Sequence, residues 1–237
     1  MNVIYDSPRV AISHRSGQTG RAVISFAGIG LGLGGLPQEE FARTLSDNQH
    51  DHFFVIDKLR SWYNSTASEI IDELSPRIEE FDSVYTLGNS MGGFGAIYFG
   101  RQLPKCSAAI AFGAQYSVNP EIVPNERRWK EWRDRIMEWK IPHALSGRDT
   151  PLRAHLFYGQ PSRDSIHADL YLGNRPPGMS LYMIAGAKHH SAGLMKERGC
   201  LTGVLDLIFV RNEGAEVVAD FMKDREIDVQ LLAATAA

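Results

Sequence analysis

The chain has 237 residues, 43% of them hydrophobic and 22% charged, with a formal net charge of −3. That balance belongs to ordinary globular proteins, and the length lets it bury a sizeable core without disulfides or a structural metal. It excludes a global electrostatic pull toward nucleic acid or an anionic membrane, and no apolar run approaches the roughly 20 residues that span a bilayer.

Taken in chain order, short apolar and β-branched runs predict strands at residues 3–5, 10–13, 22–26, 53–56, 83–87, 108–112, 154–158 and 181–184. The first two are close enough to pair as an antiparallel hairpin around Asp6-Ser7-Pro8. The later ones are apolar throughout and separated by helix-length segments, as strands buried on both faces of a parallel sheet are. Helices are predicted from Pro37, with acidic residues in the first turn, over residues 65–81 with a Ser cap, and over residues 91–103 before Pro104. Alternating β and α segments predict an α/β protein with an open, doubly wound sheet, and residues 233–237 read as a frayed tail.

Residues 121–147 break the rhythm and carry three of the four tryptophans. Trp129, Trp132, Ile136 and Trp139 fall at helical spacing, with charged residues around most of the rest. Two readings stay open: an amphipathic helix packed on the body, or a lid whose aromatic stripe roofs a substrate pocket.

Gly88-Asn89-Ser90-Met91-Gly92 fits G-x-S-x-G, between a predicted strand and a predicted helix. The motif has a steric reason. The chain turns sharply from strand to helix, the central Ser takes a strained conformation with its hydroxyl exposed, and side chains two positions away on either side would collide. The helix N-terminus adds free N–H groups and a partial positive charge beside the serine. Ser90 is therefore the candidate nucleophile.

A serine hydroxyl needs a base to take its proton, usually an imidazole oriented by a carboxylate. Asp164 follows the strand at 154–158 on a loop where ligand sites of such sheets gather, and Asp169 is the alternative from an apparent helix. His189 and His190 follow the strand at 181–184; His189, directly after a small-residue turn, is preferred. The other histidines read as structural. His50 and His52 flank Asp51 and could bind a metal, but the sequence places no third ligand.

The run Gly28-Ile29-Gly30-Leu31-Gly32-Leu33-Gly34-Gly35 supports a rival from another class. Gly30-x-Gly32-x-x-Gly35, with Asp57 on the end of the next strand, matches a dinucleotide-binding fingerprint and would make the protein an oxidoreductase. Against it, Pro37 opens the helix too late for that turn, and the Ser, Asp and His would go unexplained.

These residues resemble the α/β-hydrolase superfamily in number and order of elements, from residue 3 to about residue 210. The resemblance implies an α/β-hydrolase fold: a mostly parallel eight-stranded sheet, helices on both faces, and a small helical lid at 115–150 in a single domain over 1–237. It implies a Ser90-His189-Asp164 triad and an oxyanion hole made by the Met91 N–H with Ile29 or Gly28. Trp62, Trp129 and Trp132 are candidate pocket residues. The implied activity is hydrolysis of a carboxylic ester or related acyl bond through an acyl-enzyme, with acyl transfer or thioester cleavage as alternatives. No cofactor or metal is implied, and the expected partner is a small acyl or ester substrate, without nucleic acid or membrane. Cys106 and Cys200, far apart and in no CxxC spacing, read as free buried thiols, and the N-terminus lacks the pattern of a signal peptide, so a cytoplasmic protein is expected.

Overall fold

The computed structural model describes residues 2–30, 39–46 and 49–232. Nine strands form one sheet among these residues: β1 Asn2–Asp6, β2 Val10–Arg15, β3 Arg21–Phe26, β4 Asp51–Asp57, β5 Ser83–Asn89, β6 Cys106–Phe112, β7 Arg153–Gln160, β8 Met179–Ala185 and β9 Val229–Leu232. Their order is β1-β2-β4-β3-β5-β6-β7-β8-β9. The six strands from β4 to β8 in this order run parallel, and β1, β2 and β9 close the edges by antiparallel pairing.

The helices are α1 Ala67–Ile78, α2 Met91–Gln102, α3 Lys130–Arg133, α4 Ser165–Asn174, α5 Ser191–Glu197, α6 Leu201–Phe209 and α7 Ala215–Lys223. Alternation along the strands sends side chains to opposite faces, so each face of the sheet carries its own core. Ile24, Leu156 and Leu181 pack on the face covered by α1, α2 and α4. Val23, Phe157 and Tyr182 pack on the other, under α5, α6 and α7. Helix α1 shows how a local pattern sets this: Ile70, Leu74 and Ile78 recur every four residues and are fully buried.

All eight predicted strands and the N-terminal hairpin are present. The eight-stranded expectation is corrected to nine, because β9 pairs with β8 after a C-terminal helix that the pattern reading did not reach. Helix α1 starts after Thr66, not at a Ser65 cap. Pro37 lies outside the described residues, and residues 39–46 form turns instead of the predicted helix. The tail at 233–237 also lies outside them.

The largest correction concerns residues 121–147. One four-residue helix, Lys130–Arg133, stands where a long amphipathic one was expected, so the Trp129-Trp132-Ile136-Trp139 stripe is not a helix face over its length. Ile136 and Ile141 anchor the segment in the core, with the three tryptophans half-buried against it. The segment is thus one short helix among turns. Cys200 is buried and Cys106 half-buried, both as free thiols. No helix among the described residues is long and apolar enough to cross a membrane.

Candidate active site

Strand β5 ends at Asn89 and α2 begins at Met91, leaving Ser90 alone on the turn. Its φ of 56° and ψ of −119° lie in a region that L-residues rarely adopt, at a cost of about 1–3 kcal/mol. The turn is held from both sides, with Ser90 N–H donating to the Phe112 carbonyl at 2.8 Å. The glycine requirement is geometric. A Cβ on Gly88 would sit 2.1 Å from the Gly92 oxygen, and one on Gly92 would sit 2.0 Å from the Phe26 oxygen. Both contacts are to backbone, which cannot yield without opening the β3–β5–α2 junction.

Asp164 stands on the loop after β7, at the start of α4, and is completely buried. His189 follows β8. Its Nδ1–H donates to Asp164 Oδ2 at 2.6 Å, which leaves Nε2 with the free lone pair. The imidazole ring lies against Gly113, the residue after the carbonyl that holds the Ser90 N–H. Ser90 and His189 thus border the same peptide. No direct hydrogen bond joins them among the described residues; Ser90 Oγ instead accepts from Gln115 Nε2 at 3.0 Å.

Of the alternatives, Asp169 is exposed on α4 and His190 is exposed at the start of α5, its ring 6.3 Å from that of His189. Neither contacts Asp164.

Asp164 has two further partners. Arg128 Nη1 donates to its Oδ1 at 2.7 Å, and Ser162 Oγ donates to Oδ2 at 3.0 Å. Arg128 is in turn forked onto Glu126, with Nε 3.0 and 2.9 Å from the two carboxylate oxygens. Glu126 also faces His167 Nε2 at 3.3 Å, and its carbonyl accepts from Arg133. Burial acts to raise the Asp164 carboxyl. The hydrogen bond and charge of His189, then those of Arg128, outweigh it and hold the group below the usual carboxylate range. Glu126 is likewise depressed: burial opposes this, and His167 and Arg128 prevail.

The expected oxyanion donors separate. Met91 is the first residue of α2, where a backbone N–H has no partner within the helix. Gly28 is corrected: its N–H donates to Glu40 Oε1 at 2.8 Å and is already engaged. Ile29 follows, with its carbonyl held by Arg60 Nε at 2.9 Å, while the Ala27 carbonyl accepts from Tyr63 Oη at 2.8 Å. The loop after β3 is thus pinned at three successive residues. Burial raises the Glu40 carboxyl to about 7, against the single opposing bond from Gly28.

Among the candidate pocket residues, Trp62 is wholly buried and donates its indole N–H to Gln115 Oε1 at 3.2 Å. It is part of the wall behind Ser90, not an open surface. Trp129 lies between Trp62 and His189, its ring centroid 6.4 Å from each. Trp132 is farther out, under the Arg60 guanidinium. A cavity of about 840 Å³ lies on the opposite flank, bordered by Asn89, Glu40, Ile56, Ala192 and Lys196.

The rival reading loses its acid. Both Asp57 oxygens are taken by its own turn: Leu59 N–H reaches Oδ1, and Ser61 N–H, Ser61 Oγ–H and Tyr63 N–H reach Oδ2, all within 3.0 Å. Asp57 is a buried anchor for the turn that carries Trp62. Gly32 and Gly35 lie outside the described residues.

Gln115, Arg128, Glu126 and Glu40 were not singled out as site residues from sequence. Gln115 carried a signal, as a polar residue three positions past an apolar parallel strand, where ligand sites of such sheets gather. Arg128 and Glu126 carried none, since they sit in a charge-rich stretch with no period.

No family model and no curated protein matches the sequence. Solved structures do match the fold. An α/β serine hydrolase without a lid from Xanthomonas campestris superposes with a TM-score of 0.57 at 10% identity, over 89% of this chain and 94% of that one. Est1E from Butyrivibrio proteoclasticus superposes with a TM-score of 0.57 at 11% identity, over 95% and 98%. The capsule O-acetyltransferase of Neisseria meningitidis serogroup A gives 0.59 at 13%, over 81% and 90%. The chain spans 65% of the length of a 2,6-dihydroxy-pseudo-oxynicotine hydrolase, which it matches at a TM-score of 0.59 and 16% identity. The fold of this chain is that of the α/β-hydrolases.

Proposed function

We propose that the protein is a serine hydrolase that cleaves a carboxylic ester or related acyl bond through Ser90, His189 and Asp164. The observation that carries the reading is the coincidence of a strained, glycine-flanked Ser90 with a half-buried His189 bonded to a buried Asp164 on neighbouring loops at one end of the sheet.

In the proposed reaction, Nε2 of His189 takes the Ser90 proton as Oγ bonds to the acyl carbon and the carbonyl electron pair moves onto oxygen. Asp164 fixes the imidazole tautomer and faces the charge that the ring acquires. The Met91 N–H at the head of α2, with the Ile29 N–H, receives the oxyanion. Collapse expels the alcohol, protonated by His189, and water then releases the acid by the same steps in reverse. The likeness to serine hydrolases and to an O-acetyltransferase supports acyl chemistry on this fold and does not select the acceptor.

The test is turnover of p-nitrophenyl acetate with and without added glycerol. Hydrolysis that falls on the order of 10⁴-fold in Ser90→Ala is expected. Diversion of most acetyl groups to glycerol would move the reading to acyl transfer. Unchanged turnover in Ser90→Ala would overturn it.

A further inference from the structure

The side-chain amide of Gln115 touches the oxygen that the proposed reaction uses, and its orientation is fixed. An indole N–H can only donate, so the atom of Gln115 that faces Trp62 Nε1 is the amide oxygen. The NH₂ group therefore faces Ser90 Oγ, at 3.0 Å. The assignment of amide nitrogen and oxygen, often ambiguous for a glutamine, follows here from the partner's chemistry.

The surroundings leave the amide no freedom to turn. Gln115 is wholly buried, as is Trp62. The loop that carries Gln115 is tied down by Gly113 N–H to the Phe157 carbonyl at 2.8 Å and by Tyr158 Oη to the Ala114 carbonyl at 2.7 Å. Trp62 itself has a φ of 48° and belongs to the turn anchored on Asp57. A buried amide held by two partners is a rigid donor, and rigid donors at a developing charge need no reorganisation during reaction.

We infer that Gln115 is a further catalytic residue, whose amide N–H donates to Ser90 Oγ, sets the hydroxyl rotamer and stabilises the charge on Oγ while its proton leaves; this rests on the serine-hydrolase reading above. With one Oγ lone pair occupied by Gln115, the hydroxyl keeps its own proton for His189 Nε2. The proton passes to that nitrogen, the Oγ–carbon bond forms, and the amide of Gln115 retains both its hydrogens throughout. Trp62 then has a defined part as a positioning residue, acting through Gln115.

The experiment measures the rate of Ser90 labelling by a fluorophosphonate probe, followed by mass spectrometry, with kcat and KM for p-nitrophenyl acetate alongside. Gln115→Met keeps length and volume but removes the donor, and a 10- to 100-fold drop in labelling rate and in kcat with little change in KM is expected, on the order of one lost oxyanion-type donor or slightly less. Gln115→Glu presents a carboxylate oxygen to the hydroxyl and is expected to lose more. Where Gln115→Met lowers the melting temperature too far to be assayed, Trp62→Phe leaves Gln115 in place and frees its amide to turn, with a loss of about 3- to 10-fold expected. Wild-type rates in Gln115→Met or in Trp62→Phe, or an effect confined to KM, would overturn the inference while labelling of Ser90 upholds the hydrolase reading. A wild-type protein that is not labelled at Ser90 overturns both.

Discussion

A fully buried and a half-buried carboxyl group flank the Ser90 turn, and their surroundings drive them in opposite directions. Asp164, completely buried, is held ionised by His189 and Arg128. Glu40, on the loop side, has only the Gly28 N–H and is raised to about 7. Burial acts on both in the same sense, so the difference comes from partners. A cation and an imidazole outweigh desolvation, whereas one backbone amide does not. On the His189 flank the arrangement keeps a negative charge beside the imidazole. On the other flank it leaves a carboxyl raised to about 7 beside the loop that carries Gly28.

The comparison breaks most sharply at Arg128. Its replacement by Met leaves Asp164 and Glu126 as buried carboxylates with a shared cation removed. The expected loss is about 3–5 kcal/mol of stability, as for other broken buried pairs. Urea unfolding at pH 7 measures it. An effect under about 0.5 kcal/mol would mean that the Arg128 bridge is incidental and that His189 and Ser162 suffice to hold Asp164.

Glu40→Gln gives a smaller effect with a definite pH signature. The folded-state carboxyl binds its proton more tightly than the unfolded one, so its contribution to stability is fully present below about pH 4.5. It declines as pH rises toward 7 and is gone above that. Over that interval of roughly 2.5 units the wild type is expected to lose about 3 kcal/mol relative to Glu40→Gln. Melting temperatures from pH 4 to 8 test this, and parallel curves for the two proteins would refute it. Asp164 has the opposite sign: its depressed value adds stability above its unfolded range, which disappears as the solution is acidified through the folded value.

What the sequence revealed follows the range of the interactions involved. The Ser90 turn was legible because its pattern spans five residues: Gly88 is required by the Gly92 backbone within the turn, even though Gly92 answers to Phe26 on the adjacent strand. Strands β3 to β8 were legible because parallel strands buried on both faces read as largely apolar runs, and β1 and β2 because a short turn brings them together as a hairpin. Residues 121–147 were misread because the tryptophan spacing mimics a helical period. A contact within the segment, Arg133 to the Glu126 carbonyl, and one to the body, Asn64 Oδ1 to the Ile141 N–H, hold them in turns. The partners of Asp164 and Ser90 were hidden for a related reason. Arg128 reaches Asp164 across 36 positions and Gln115 reaches Ser90 across 25, and no local pattern encodes either pairing. Of the glycine run only residues 28–30 are described, directly after β3, and the fingerprint lacks its acid, since Asp57 spends both oxygens on its own turn.

If Ser90, His189 and Asp164 act as one unit, as proposed, their kinetic effects are coupled. The measurement is the second-order rate of fluorophosphonate labelling in the wild type, His189→Ala, Asp164→Asn and the double variant, with the labelled residue located by mass spectrometry. The account predicts labelling at Ser90, a large loss in each single variant, and a double variant no slower than His189→Ala alone, because residues acting as a unit are strongly non-additive. Losses that multiply in the double variant, or label on a residue other than Ser90, would contradict it.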